Sequence, residues 1–222
     1  MSDQAAIIGA TTWGTTLGII LAQKKVPVTL LARTEAEADM LSSQRRNSRF
    51  LPDSPFPDRL TVTSEPESAL DQSDLVIITV PSDRLRKNVR RIKAHLQSGT
   101  TILSATKGLE LPTARRMSQV LEDELPAALH SRICVLSGPN LAKEIVEGKP
   151  ASTVIAGRNP DAVHQAQNTL MSASFRVYTS DDVLGVELAG ALKNIVALGA
   201  GIGDGMHAGE NAKAAFITRG LA

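Results

Sequence analysis

Short runs of aliphatic and β-branched residues alternate along this chain with longer stretches whose apolar positions recur every three or four residues. The short runs predict strands at Ala5–Ile8, Val26–Leu31, Leu60–Thr63, Leu75–Val80, Thr100–Ala105, Ile133–Leu136, Ser152–Ile155 and Phe175–Tyr178. Helical patterns fill most of the gaps, and that alternation is the signature of a parallel sheet with crossover helices. "DLVIITVP" and "TTILSAT" are apolar almost throughout, as central strands covered on both faces must be. The stretch "FLPDSPFPDR", Phe50 to Arg59, carries three prolines within six residues and is expected to be a loop.

The pattern changes after Tyr178. "TSDD" offers N-caps and carboxylates suited to a helix start, and "VLGVELAGALKNIVALGAGIGDG" then runs long and apolar with no strand signal. Leu184, Leu188, Leu192, Ile195, Leu198 and Ile202 fall at helical spacing, which predicts a buried stripe. Two domains are therefore expected, 1–180 built on the sheet and 181–222 helical. "NAKAAFITRGLA" reads as a final helix without a glycine cap or polar tail. About 40 residues of helix rarely form a core of their own, so the second domain is expected to be the start of a larger one.

Composition narrows the classes. With 222 residues, 42% hydrophobic and 21% charged, the chain suits a folded core, and a net charge of +1 lacks the basic excess of a nucleic-acid binder. No stretch approaches the ~20 uncharged apolar residues of a membrane span, and "MSDQAA" lacks the basic start of a signal peptide, so a cytoplasmic address is expected. The lone cysteine, Cys134, lies between Ile133 and Val135 and reads as inert core. His95, His130, His164 and His207 show no ligand-like spacing, and no metal is expected.

Candidate chemistry concentrates where strands end. "GATTWG" follows the first strand, with Gly9 and Gly14 at the outer positions of a GxGxxG turn. The next helix, beginning near Trp13 or Gly14, would aim free N–H groups and its positive dipole end at a pyrophosphate. Thr11 takes the middle glycine's place and sets a β-carbon where the backbone should come nearest the ligand. It should weaken that contact unless its own hydroxyl, or that of Thr12, donates a bond. An ordinary glycine-containing βα turn is the alternative. After the second strand, "VTLLARTEAE" puts Arg33 where a cation suits the 2′-phosphate of NADP, with Glu35 slightly later in a first helical turn. NADPH is the expected cofactor and NADH the alternative; Arg33 as a solvated surface charge is the plain reading.

Within "LAGALKNIVALGAGIG" Lys193 is the only charged residue. Its helical neighbours Val186, Gly190, Ala197 and Ala200 are mostly small, and low-polarity surroundings suit a lysine to general acid–base work. A lysine snorkelling at a domain edge fits the same pattern. Asn194 could orient a hydroxyl or a phosphate oxygen. Lys107 and Gly108 stand just beyond the fifth strand, Ser137 to Asn140 beyond the sixth, and Pro81 and Ser82 beyond the fourth. Parallel α/β sheets bind ligands outside the carboxyl ends of their strands, so Lys107, Gly138 and Asn140 are expected to share a crevice with Gly9.

These motifs together resemble the NAD(P)-dependent glycerol-3-phosphate dehydrogenases of bacterial type. "GATTWGTTLG", "VPSDRLR", "SATKGLE", "SGPNLAKEI" and above all "GVELAGALKNIVALGAGIGDGMHAGENAKAAFITRGL" are similar to that family's motifs, and the last is long and specific. The resemblance implies an α/β, Rossmann-like, mostly parallel sheet followed by the start of an all-α C-terminal domain. It implies reversible hydride transfer between NAD(P)H and dihydroxyacetone phosphate, giving sn-glycerol 3-phosphate for glycerophospholipid synthesis. Carried over residue by residue, Lys193 becomes the proton donor and acceptor and Lys107 a substrate-positioning cation. Gly138 and Asn140 fall in the substrate loop, beside Asn194. Gly9, Thr11, Thr12, Trp13, Gly14, Arg33, Lys107 and Ala142 fall at cofactor positions. Thr11 departs from the family pattern, and Ala222 lies inside a TRGLxE motif, so the chain is expected to stop within the helical domain and to turn over poorly alone. The implied partner is a small phosphate ester, with a homodimer as the assembly. A related β-hydroxyacid dehydrogenase and a non-catalytic nucleotide-binding or regulatory protein are the rival readings.

Overall fold

The computed structural model describes residues 4–221. Eight strands form one sheet: β1 Ala5–Ile8, β2 Val28–Leu31, β3 Leu60–Thr63, β4 Leu75–Ile78, β5 Thr101–Ser104, β6 Ile133–Ser137, β7 Ala151–Gly157 and β8 Phe175–Ser180. Their spatial order is β3-β2-β1-β4-β5-β6-β7-β8. Pairs from β3 to β6 are parallel. β7 runs antiparallel to β6, and β8 runs parallel to β7. The chain builds outward from β1 in one direction, then returns to add β4 on its other side. That switch point opens a crevice at the carboxyl ends of β1 and β4.

Helices α1 Thr12–Gln23, α2 Glu35–Gln44, α3 Pro66–Leu70, α4 Leu85–Ile92, α5 Met117–Glu124, α6 Ala127–His130, α7 Ala142–Val146 and α8 Pro160–Leu170 lie between the strands. The two-residue period of a strand sorts the core into two layers. Ile7, Leu30, Ile77, Leu103 and Leu136 face one side with Leu17 and Leu21 of α1 and Leu170 of α8. Ile8, Leu31, Val76, Ile78 and Ile102 face the other with Val89 of α4 and Leu121 of α5. Burial on both faces accounts for the unbroken apolar runs.

The proline-rich stretch is not wholly loop. Leu51–Pro55 pairs antiparallel with Arg46–Asn47, because a narrow ladder at an edge tolerates prolines whose missing N–H is not needed. Leu51 and Phe56, each 5% exposed, root this strap in the core.

Two helices follow β8: α9 Val183–Gly205 and α10 Glu210–Leu221. Gly190 of α9 sits so close to the sheet that a Cβ there would come 2.5 Å from Ser137 Oγ. The stripe expected to be buried is largely open, however, with Leu184, Leu192, Ile195, Leu198 and Ile202 between 48% and 69% exposed. The sheet supports α9 near Gly190, and α10 meets it at Gly199 through Phe216 and at Val196 through Gly220. Neither contact covers the stripe. By length and composition α9, with 23 residues and a hydropathy of 1.5, could also cross a membrane, which the sequence pattern did not suggest. Glu187 and Lys193 within it, and its seat on Ser137, are features of a helix packed on a globular body.

Candidate active site

The phosphate turn is held by specific contacts. Gly9 leaves β1 with φ +108°, and a Cβ on Gly14 would collide with the Gly9 carbonyl oxygen and Thr79 Oγ1, so both positions require glycine. Thr11 has φ −76° and ψ 171°, ordinary for any residue, and it N-caps α1. Its Oγ1 accepts from Gly14 N at 3.0 Å and donates to the Thr79 carbonyl at 3.1 Å. That hydroxyl is therefore committed to the turn and is not the compensating donor to a ligand. The first N–H groups of α1, which starts at Thr12, are left for that task.

Two clefts meet at this turn. One, of about 570 Å³, is lined by Gly9 and Thr11 and by five cationic side chains, Arg33, Arg49, Arg84, Lys87 and Arg91, against a single carboxylate, Glu37. Glu37 accepts from Arg33 N at 2.8 Å, and Arg49 lies over the Phe50 ring at 5.0 Å. The other, of about 350 Å³, is lined by Thr11, Thr12, Trp13, Thr106, Lys107 and Asn140. They share Thr11, Val80 and Pro81 and so run together across the carboxyl edge of the sheet. Trp13 Nε1 and Asn140 Oδ1, a donor and an acceptor on residues of the second cleft, are buried without partners. A long trough with cations at one end, free N–H groups in the middle and polar groups at the other fits a dinucleotide.

Lys107 is half-buried, and its Nζ donates to the Gly138 carbonyl at 2.9 Å. Burial, and then the charge of Lys193, lower its pKa. Asn140 N bonds the Gly138 carbonyl at 2.9 Å, and its Nδ2 donates to Thr153 Oγ1 at 3.2 Å. The loop carrying Lys107 is braced by Arg86, which grips Glu110 through two bonds of 2.7 and 2.9 Å. "VPSDRLR" and "SATKGLE" are thus joined by one ion pair. Ala142 opens α7, half-buried, and is not among the residues lining the Lys107 cleft.

Lys193 lies one turn beyond Gly190. It is exposed rather than enclosed by small apolar neighbours, and its Nζ donates to Asn194 Oδ1 at 3.1 Å. Its surroundings differ from expectation because the stripe beside it is open. Sequence reasoning also passed over Glu187. Its carboxylate accepts from Ser118 N (2.8 Å), Ser118 Oγ (2.6 Å) and Arg116 Nη1 (2.5 Å). This clasp fixes the first turns of α9 to the start of α5. Its signal was present, since Glu187 is the acidic residue nearest the start of the long C-terminal motif.

Comparison with known proteins agrees with this arrangement. Residues 4–163 match the model of the NAD-dependent glycerol-3-phosphate dehydrogenase N-terminus, and residues 182–222 that of its C-terminus. The chain is 51% identical over 220 residues to a protein of Dehalococcoides mccartyi named glycerol-3-phosphate dehydrogenase [NAD(P)+], covering 99% of this chain and 61% of that one. A Corynebacterium urealyticum protein of the same name is 43% identical, with 99% and 66% covered. The crystal structure of glycerol-3-phosphate dehydrogenase from Coxiella burnetii superposes with a TM-score of 0.86 at 35% identity, over 98% of this chain and 66% of that one. The chain thus spans about three fifths of the length of the Dehalococcoides relative. Both family models and the named relatives agree, and the chain belongs to the NAD-dependent glycerol-3-phosphate dehydrogenase family.

Proposed function

We propose that this chain carries the nucleotide-binding and proton-transfer parts of an enzyme interconverting dihydroxyacetone phosphate and sn-glycerol 3-phosphate, with NADPH preferred over NADH. The observation that carries the reading is that Lys107 lines both the cleft that starts at the phosphate turn and a small cavity shared with Gly190 of α9, one turn before Lys193. Residues 1–180 would hold the cofactor, and 181–222 would supply the proton donor. The cationic cleft around Arg33 and Lys87 supports a 2′-phosphate there. The same reading includes a cytoplasmic address, a role in glycerophospholipid supply and, from the open α9 stripe, pairing of copies.

The bound nicotinamide would supply a hydride to the ketone carbon. As negative charge gathers on the ketone oxygen, the Lys193 ammonium stabilises it and delivers a proton; in reverse the neutral amine takes the hydroxyl proton. Lys107, anchored on the Gly138 carbonyl, positions the substrate beside Asn140. NADPH oxidation with dihydroxyacetone phosphate tests this directly. Lys193→Ala should lower turnover at least ~100-fold with NADPH affinity retained. Full activity in that variant, or preferential turnover of 3-hydroxyacids, would refute the assignment.

A further inference from the structure

Asn47 is 3% exposed, sits on the strap and reaches the underside of the phosphate turn. Its Nδ2 donates to the Ala10 carbonyl at 3.1 Å and to Thr15 Oγ1 at 2.8 Å, one partner in the turn and one in α1. We infer that Asn47 is a positioning residue for the cofactor pyrophosphate: by holding the Ala10 carbonyl inward it turns the Thr11 N–H outward into the cleft.

The step follows from peptide geometry. In a planar trans peptide the C=O of one residue and the N–H of the next point in opposite directions. With the Ala10 oxygen drawn toward buried Asn47, the Thr11 N–H faces the side on which Gly9, Ala10 and Thr11 line the cleft. The preceding carbonyl is disposed of in the same manner, since Gly9 O accepts from Thr79 Oγ1 at 3.0 Å. Two oxygens that would repel a phosphate are thereby turned inward, and a donor is presented in their place. This also accounts for a turn that works with threonine at its middle position. The strap bearing Asn47 carries Arg49 and Phe50 in the wall of the cationic cleft as well, so one buried amide connects the adenosine wall with the pyrophosphate turn.

The inference rests on the dinucleotide reading and is tested by equilibrium binding, independent of turnover. NADPH and 2′-AMP, which occupies the cationic end without a pyrophosphate, are titrated by calorimetry against the unsubstituted chain, Asn47→Ala, the isosteric Asn47→Asp and Thr15→Val. The NADPH Kd should rise roughly tenfold in both Asn47 variants, the 2′-AMP Kd should stay within about twofold, and Thr15→Val should resemble the unsubstituted chain for both ligands. Whichever Asn47 variant folds suffices. The inference is overturned if NADPH affinity is unchanged, if 2′-AMP affinity falls equally, or if Thr15→Val loses as much as Asn47→Ala. An unsubstituted chain that binds neither ligand would overturn the cofactor reading itself, and this inference with it.

Discussion

Thr11 offers the sharpest stability test, because its hydroxyl carries two separable bonds. Thr11→Ala removes the cap bond to Gly14 N, for which N-cap truncations cost about 1 kcal/mol. It also strips a donor from the carbonyl of Thr79, a residue 6% exposed, which costs about 1 kcal/mol more. The sum, about 2 kcal/mol, corresponds to a fall in Tm of roughly 4–8 °C in a chain of this size. Thr11→Ser keeps the hydroxyl and should melt within about 2 °C of the unsubstituted chain. Thr11→Gly should fall between them, since glycine is a fair N-cap but loses the Thr79 bond and adds freedom to the unfolded chain. Melting followed by circular dichroism gives all four values. If the alanine and serine variants melt together, the hydroxyl does not hold the turn and the geometry above is misjudged.

Glu187→Gln leaves Arg116, 18% exposed at its side chain, without its counter-charge. It should cost about 3 kcal/mol and speed amide exchange in the first turns of α9 before the sheet; unchanged exchange there would argue against the clasp. The carboxyls of Glu110 and Glu124 are held down to about 2, chiefly by hydrogen bonds from Arg86 and Arg90 respectively. Their folded values lie below the ordinary carboxylate value of about 4.3. The stability they contribute is therefore complete above that pH and lost as pH falls toward about 2. The urea midpoint should decline across this window, less steeply in Glu110→Gln, and identical acid profiles would contradict the account. Burial pushes the Cys134 thiol up to about 12, so iodoacetamide should label it in denaturant and not in the native chain at neutral pH; rapid native labelling would show an open strand.

Much of this was legible from pattern. All eight strands lie within a few residues of where the apolar runs put them, because strands buried on both faces can carry little else. Lys107 could be found because it stands just past a strand. The reversal of β7 and β8 was not legible, since two-residue alternation reads the same in either chain direction. The α9 stripe misled because helical periodicity marks an apolar face without saying whether anything covers it. Asn47 left no trace: its partners are a backbone oxygen and a helix hydroxyl 37 and 32 residues earlier. Polar bonds of that range are written in the folded chain alone.

Between Glu187 and Lys193 the chain is continuous helix. Each residue of it advances about 1.5 Å and turns about 100°, so Lys193 stands roughly 9 Å along the axis from the clasp. Gly190, halfway, touches down on Ser137. The position of Lys193 relative to that contact is therefore metered by residue count. Removing Ala191, between Gly190 and Lys193, would swing the lysine by more than a quarter turn while Glu187, Gly190 and Lys193 were all retained. For the proton transfer proposed above, spacing in that segment matters as much as the lysine itself.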